Sequence, residues 1–177
     1  MASLPHSKTV TYEEWLRMPE VREAVEEVVN GEIRIMPPPK WNHAQIVRGI
    51  RRPIEAGLDE RDAIVMDSSF GLVIRKEPLT TRVPDIAIFE TSAIVEHDGY
   101  IHSAPQLIVE VRSPAKLADY AALGVPEAWV LSPEARTVEV LYLEDGQYRR
   151  QTLLAEGILK PRHFPGVQVD IARIWPD

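Results

Sequence analysis

The sequence predicts a fold of the α/β class in its α+β form: a mostly antiparallel sheet of short strands, an N-terminal hairpin and a few helices. Three observations predict it. Asn30-Gly31 separates two strand-like runs, residues 26–29 and 32–35, and Asn-Gly readily takes the positive backbone angles of a type I′ hairpin turn. Short strand-like runs then recur at residues 63–66, 70–75, 83–89, 128–131, 137–143 and 148–154, with Gly71, Pro78 and Asp145-Gly146 marking turns between them. Finally, residues 107–111 are apolar apart from Glu110, the pattern of a central strand buried on both faces.

The helices are few. Thr11-Tyr12-Glu13-Glu14 has the spacing of a capping box and predicts a short helix to about Pro19. Asn42 is a plausible N-cap for a helix carrying His43, Ile46, Val47 and Ile50, which Pro53 should kink or end. Residues 116–123 predict a third helix, closed by Gly124. No repeat, low-complexity tract or long linker divides the 177 residues, so one domain spanning 1–177 is expected.

Composition narrows the chemistry. The chain is 45% hydrophobic and 27% charged, a globular balance, and no stretch approaches the roughly 20 apolar residues that a membrane span needs. The first ten residues lack the apolar run of a signal peptide, which predicts a soluble, cytoplasmic protein. Cysteine is absent, so any metal must be held by carboxylate, imidazole or carbonyl groups. The net charge of -7 has the wrong sign for binding nucleic acid by uniform phosphate neutralisation. A local basic rim can coexist with an acidic total, and Arg48, Arg51 and Arg52 are the candidate rim.

Two carboxylates stand where packing alone would not put them. Asp85 follows Pro84 at the head of the apolar run 86–89, and Glu110 interrupts the run 107–111. A buried carboxylate is costly unless paired, hydrogen-bonded or bound to metal. A capping aspartate and a salt-bridged glutamate would explain the pair without chemistry. If the two strands are neighbours, however, both acids can converge on one Mg²⁺, which binds through one or two carboxylates plus water and substrate phosphate. That is a phosphodiesterase layout, in which the ion polarises the phosphate and activates water. Strand alternation sets Arg112 on the face of Glu110, and Lys116 lies just beyond. Lys116 is the favoured catalytic cation because a desolvated ammonium can shed its proton and a guanidinium essentially cannot. Taken singly, a basic residue is more often a solvated surface charge.

Several motifs run together along the chain: 27–32 (Glu-Val-Val-Asn-Gly-Glu) followed by Met36-Pro37-Pro38; His43; Pro84-Asp85-Ile86; Pro105-Gln106-Leu107 through Val109-Glu110-Val111; Ser113-Pro114; and Gly124-Val125-Pro126-Glu127-Ala128-Trp129. As a set they resemble the Uma-two family of proposed restriction endonucleases, a domain of unknown function within the PD-(D/E)XK nuclease superfamily. The resemblance covers most of the chain. It implies a restriction endonuclease-like fold with a mixed central β-sheet flanked by helices, and DNA hydrolysis dependent on Mg²⁺, with Mn²⁺ as a substitute. It maps Asp85 and Glu110 to the motif acids and metal ligands, Glu27 to an additional acidic position, and Lys116 to the motif lysine, leaving Arg112 at the vacated position. Family members carry a polar, basic-rich loop before that lysine, whereas here only Ala115 separates Pro114 from Lys116. The expectation is that a segment is missing at this point.

His43 could contact phosphate or position a water, although a lone histidine is more often a hydrogen-bonding or packing residue. Trp15, Trp41, Trp129 and Trp175 are dispersed and expected to pack, and His97, His102 and His163 lack zinc-type spacing. Two rival readings stand beside the endonuclease: an inactive nuclease-fold binding or assembly module, and a phosphodiesterase acting on RNA or nucleotides. For the first, the discriminator is whether Lys116 approaches the space between the acids. A homodimer is expected if both strands of a duplex are cut.

Overall fold

The structure, a computed structural model, describes residues 9–21 and 23–176, so the stretch 1–8 within the segment read for a signal peptide lies outside the described residues. Thr11 starts the first helix, α1 (Tyr12–Leu16). Its hydroxyl accepts from the Glu14 N–H at 3.2 Å while the Glu14 carboxylate accepts from the Thr11 N–H at 3.0 Å, completing the capping box. The hairpin follows as β1 (Val25–Val29) and β2 (Glu32–Met36). Asn30 and Gly31 turn it with φ of 53° and 82°, as a type I′ turn requires.

The second helix, α2 (Trp41–Ala56), starts before the expected N-cap and is not ended by Pro53. Lys40 occupies the N-cap position and Asn42 lies inside, while Pro53 sits within a helix that runs on to Ala56. The buried stripe Ile46, Ile50 and Ile54 explains the continuation. Ile54 is fully buried beyond the proline, and burying such a side chain contributes about 1.5–3 kcal/mol, comparable to the cost of an interior proline of roughly 3 kcal/mol.

The remaining elements are β3 (Ala63–Asp67), β4 (Leu72–Lys76), β5 (Leu79–Arg82), β6 (Ile86–Glu90), β7 (Glu96–His97), β8 (Tyr100–Ile101), β9 (Leu107–Val111), α3 (Leu117–Leu123), β10 (Glu127–Ser132), β11 (Thr137–Glu144), β12 (Gln147–Leu154), β13 (Ile158–Leu159) and β14 (Val169–Asp170). They form two six-stranded mixed sheets, ordered β2-β1-β5-β4-β8-β7 and β12-β11-β10-β9-β6-β3, and a β13-β14 pair. The α+β class is as expected, but the strands form two sheets rather than one, and the hairpin belongs to the first of them. Pro84 is the reason. It cannot donate to a ladder, so the run 83–89 is broken there, and the chain leaves β5 in the first sheet to enter β6 in the second.

Alternation then sorts the side chains into layers. On β6, Ile86 and Ile88 join the core under α2, while Ala87 and Phe89 face a core shared with Leu72 and Ile74 of the first sheet. On β9, Leu107, Val109 and Val111 lie on the α2 side, and Ile108 lies between the sheets. Glu110 shares the parity of Ile108 and is thereby aimed at the space between the sheets. The outer face of the first sheet is covered by Tyr12 and Trp15 of α1. Trp129 is buried as expected, whereas Trp41 is 76% exposed at the head of α2. Among the described residues, no helix is long and apolar enough to cross a membrane.

Gly49 is where α2 meets the C-terminal segment, and a Cβ built there would stand 2.7 Å from the Ile174 carbonyl oxygen. Glycine to alanine normally stabilises a helix interior by roughly 0.5–1 kcal/mol. Here Gly49→Ala should lower the melting temperature, with overpacking costing about 1–3 kcal/mol. An unchanged or raised melting temperature would show that the segment is not held against the helix.

Candidate active site at the seam of the two sheets

The crossing Val83-Pro84-Asp85 brings one acid to the end of β9. β6 pairs antiparallel with β9, Ile86 opposite Val109, and continuing that register by one residue sets Asp85 opposite Glu110. The Asp85 carboxylate accepts from the Val111 N–H at 2.8 Å through Oδ2 and lies 2.9 Å from Nε2 of His43 through Oδ1. Asp85 is thus fixed by strand and helix together.

Glu110 is 1% exposed, and Oε1 accepts from the Tyr120 hydroxyl at 2.5 Å. Its Oε2 is buried with no hydrogen-bond partner among the described residues. Burial pushes its pKa up from 4.5 to about 8; the nearby Lys116 charge opposes this rise, and the Asp85 carboxylate adds to it.

Glu27, on β1, supplies a third buried acid from the other sheet. Oε1 accepts from the Val83 N–H at 2.9 Å and from Lys116 at 2.9 Å, and Oε2 accepts from Arg82 at 2.8 Å. Burial alone would raise its pKa; the Lys116 charge and these hydrogen bonds outweigh burial and hold it below the ordinary value. Lys116 donates to the Val83 carbonyl at 2.7 Å and stands 3.6 Å from Glu110 Oε1. Its own burial favours the neutral amine, but the charges of Glu110 and Glu27 prevail and its pKa is raised. This corrects the expectation of a proton-shedding lysine: Lys116 stands here as a fixed positive charge.

The backbone from Ser113 to Leu117 is continuous. Pro114–Lys116 is a single 3₁₀ turn, closed by the Lys116 N–H on the Ser113 carbonyl at 3.2 Å and leading straight into α3. The short connection therefore delivers Lys116 to the acids without the segment expected to be missing. Arg112 is not brought in. β9 ends at Val111, Arg112 has φ of 65°, and its exposed side chain pairs with Glu134. A left-handed residue interrupts strand alternation, so the shared face predicted for Glu110 and Arg112 does not form.

Three supporting residues went unread in the sequence. Arg82 donates through Nε and Nη2 to Asp119 Oδ2, at 2.8 and 2.7 Å, while also holding Glu27. Tyr120 holds Glu110. The signal for two of them was present: Asp119 and Tyr120 follow Lys116 by three and four residues in a helical stretch, which places them on its face. Arg82 had no such mark.

A hard divalent cation fits the donor set. Asp85 and Glu110 offer carboxylate oxygens only, and Glu110 Oε2 is a buried acceptor that nothing among the described residues satisfies. Among the described residues, no group of three or more histidine and acidic side chains is arranged to hold a metal, so such a cation would complete its shell with water and substrate oxygens.

The α+β fold draws three acids and a lysine to the seam of its two sheets. The chain belongs to the Uma2 family, described as "Putative restriction endonuclease", which it matches over residues 12–172. Among solved structures it is similar to a crystal structure described as a putative nuclease belonging to DUF820, from Anabaena variabilis. That structure is 21% identical, with a TM-score of 0.74, covering 93% of this chain and 97% of the other. At that identity the likeness speaks to the fold. No functionally curated protein matches the chain.

The Glu110 shift makes a signed prediction. A carboxyl raised in the folded state is favoured when protonated, so its contribution to stability is lost as pH climbs from 4.5 through about 8. With chelator present, the melting temperature of Glu110→Gln minus that of wild type should grow across this range and level off above it. A difference independent of pH would rule out the buried acid as its source.

Proposed function

We propose that the chain is a Mg²⁺-dependent endonuclease hydrolysing DNA phosphodiester bonds, with Mn²⁺ able to substitute. In this reading Asp85 and Glu110 hold the cation, Lys116 is the catalytic cation and Glu27 assists it. The observation that carries the proposal is the buried, unpartnered Oε2 of Glu110, on a strand whose neighbour presents Asp85 and beside a charged Lys116. The family's description supports the substrate and reaction class.

A cation bound there would polarise the scissile phosphate and offset its charge. The protein's own groups do the rest. Lys116, fixed by Glu27 and the Val83 carbonyl, keeps positive charge next to the reacting phosphate, where it offsets the charge that develops on the phosphoryl oxygens. His43 and the Val111 N–H orient Asp85, and Tyr120 orients Glu110. Each chain carries one such site, so cutting both strands of a duplex calls for two copies, and a homodimer is the corresponding assembly.

Supercoiled plasmid incubated with Mg²⁺ or Mn²⁺ at low salt should be nicked by wild type and spared in EDTA. Asp85→Ala, Glu110→Ala and Lys116→Met, each checked for folding by circular dichroism, should lose on the order of 10²–10³-fold or more in rate. Mg²⁺ should raise the melting temperature of wild type but not of the two acid variants. No cleavage by folded wild type, with no thermal response to Mg²⁺, would return the chain to the inactive binding module.

A further inference from the structure

We propose that α2 carries the substrate's sugar-phosphate backbone, with Arg48 and Arg52 as the phosphate contacts and Arg173 extending the track. The proposal deepens the endonuclease reading and rests on it. It begins from an imbalance of charge. On a chain of net charge -7, three arginines cluster on one stretch of α2, yet they are not equivalent. Arg51 is spent inside the protein, donating to Glu55 at 2.7 Å and pairing with Asp67. Arg48 and Arg52 are exposed, and among the described residues neither has an ion pair or a side-chain hydrogen bond. They are cations without anions.

Their position ties them to the site. Arg48 and Arg52 line an open cleft of about 390 Å³ along α2 that also takes in His43 of the same helix, the residue bonded to Asp85, and faces Asp67 and Ser68. The same two arginines line a second concavity, of about 300 Å³, with Arg173 and Trp175 of the C-terminal segment. Arg173 is 86% exposed and only loosely paired, at 3.3 Å from Asp170. Arg48, Arg52 and Arg173 thus form one run of exposed positive charge beside α2. Residues four apart on a helix are separated by about 6 Å of rise. That is nearly two phosphates of one duplex strand, at roughly 3.4 Å of axial rise each.

The shape of the site selects the partner. Both concavities are open, and the free cations in them are exposed. A small anion would find no enclosing donors, whereas a polyanion gains from several exposed arginines at once by releasing condensed counterions. Since α2 also carries His43, which is bonded to Asp85, the endonuclease reading makes that polyanion the nucleic acid substrate.

The test is fluorescence anisotropy of a labelled DNA duplex with wild-type protein in EDTA, where hydrolysis is blocked, over a series of salt concentrations. Each lost phosphate contact should flatten the slope of log K against log salt by about 0.9. Arg48→Gln/Arg52→Gln should therefore flatten it by about 1.8 and Arg173→Gln by up to about 0.9, while Arg51→Gln leaves it nearly unchanged. All are exposed or half-exposed positions, and melting temperatures verify folding. An unchanged slope in the double variant, a loss in Arg51→Gln as large as in Arg48→Gln, or displacement of the duplex by polyglutamate as readily as by unlabelled DNA would overturn the track. Failure of the parent reading looks different: binding with the predicted slopes but no cleavage under Mg²⁺ removes the endonuclease and leaves the track. Cleavage with unaltered slopes in the double variant does the reverse.

Discussion

Ionised groups leave water only where the protein replaces their hydration, and Glu27 is where this chain meets that condition most fully. Its two oxygens take hydrogen bonds from the Val83 backbone, Lys116 and Arg82. Arg82 is held in turn by Asp119 on α3. The ring of charge joins β1, the end of β5 and the segment running into α3, so the seam between the sheets is closed by ionic contacts as well as by the shared apolar core. Removing one partner from such a buried group strands the others, at a cost of about 3–5 kcal/mol. Lys116 owes its charge and its position to this ring.

A buried acid does not by itself declare a function. Glu127 is as buried as Glu110, and both lie on central strands of the same sheet. Glu127 has each oxygen satisfied, by the Trp129 indole at 2.7 Å and the Arg162 N–H at 2.8 Å, and serves as a clamp between β10 and the C-terminal segment. Glu110 has one oxygen satisfied and one bare. The difference in hydrogen-bond completeness, invisible in composition or pattern, separates the fully satisfied acid from the one proposed to take a ligand.

Local signals in the sequence were legible where local physics decides the outcome. The Thr11 capping box, the Asn30-Gly31 turn, the Asp145-Gly146 turn and the Gly124 helix stop all follow from backbone preferences of the residues themselves. Tertiary balance was not legible. Pro53 reads as a kink or an end, yet Ile54 is drawn inward and the helix continues. Residues 83–89 read as one strand because alternation does not reveal which sheet a strand will join. Asp85 and Glu110 stood out because charge inside apolar strands is anomalous, whereas Glu27 came only with the family resemblance. Arg82 was missed because nothing around it is anomalous, and its partners lie 55 and 37 residues away. Arg112 failed for a local reason, a left-handed residue that no alternation rule anticipates.

Val83 uses both of its backbone groups at the seam, the N–H on Glu27 and the carbonyl on Lys116, and Asp85 stands two residues further along the same peptide. The spacing between the lysine's anchor and the aspartate is therefore set by bond lengths and a proline ring, not by how well one sheet happens to sit upon the other. A three-residue gauge of this kind does not stretch when the layers slide. Substitutions that resize the interlayer core can accumulate on either side of it while the distance between these two groups keeps its calibration.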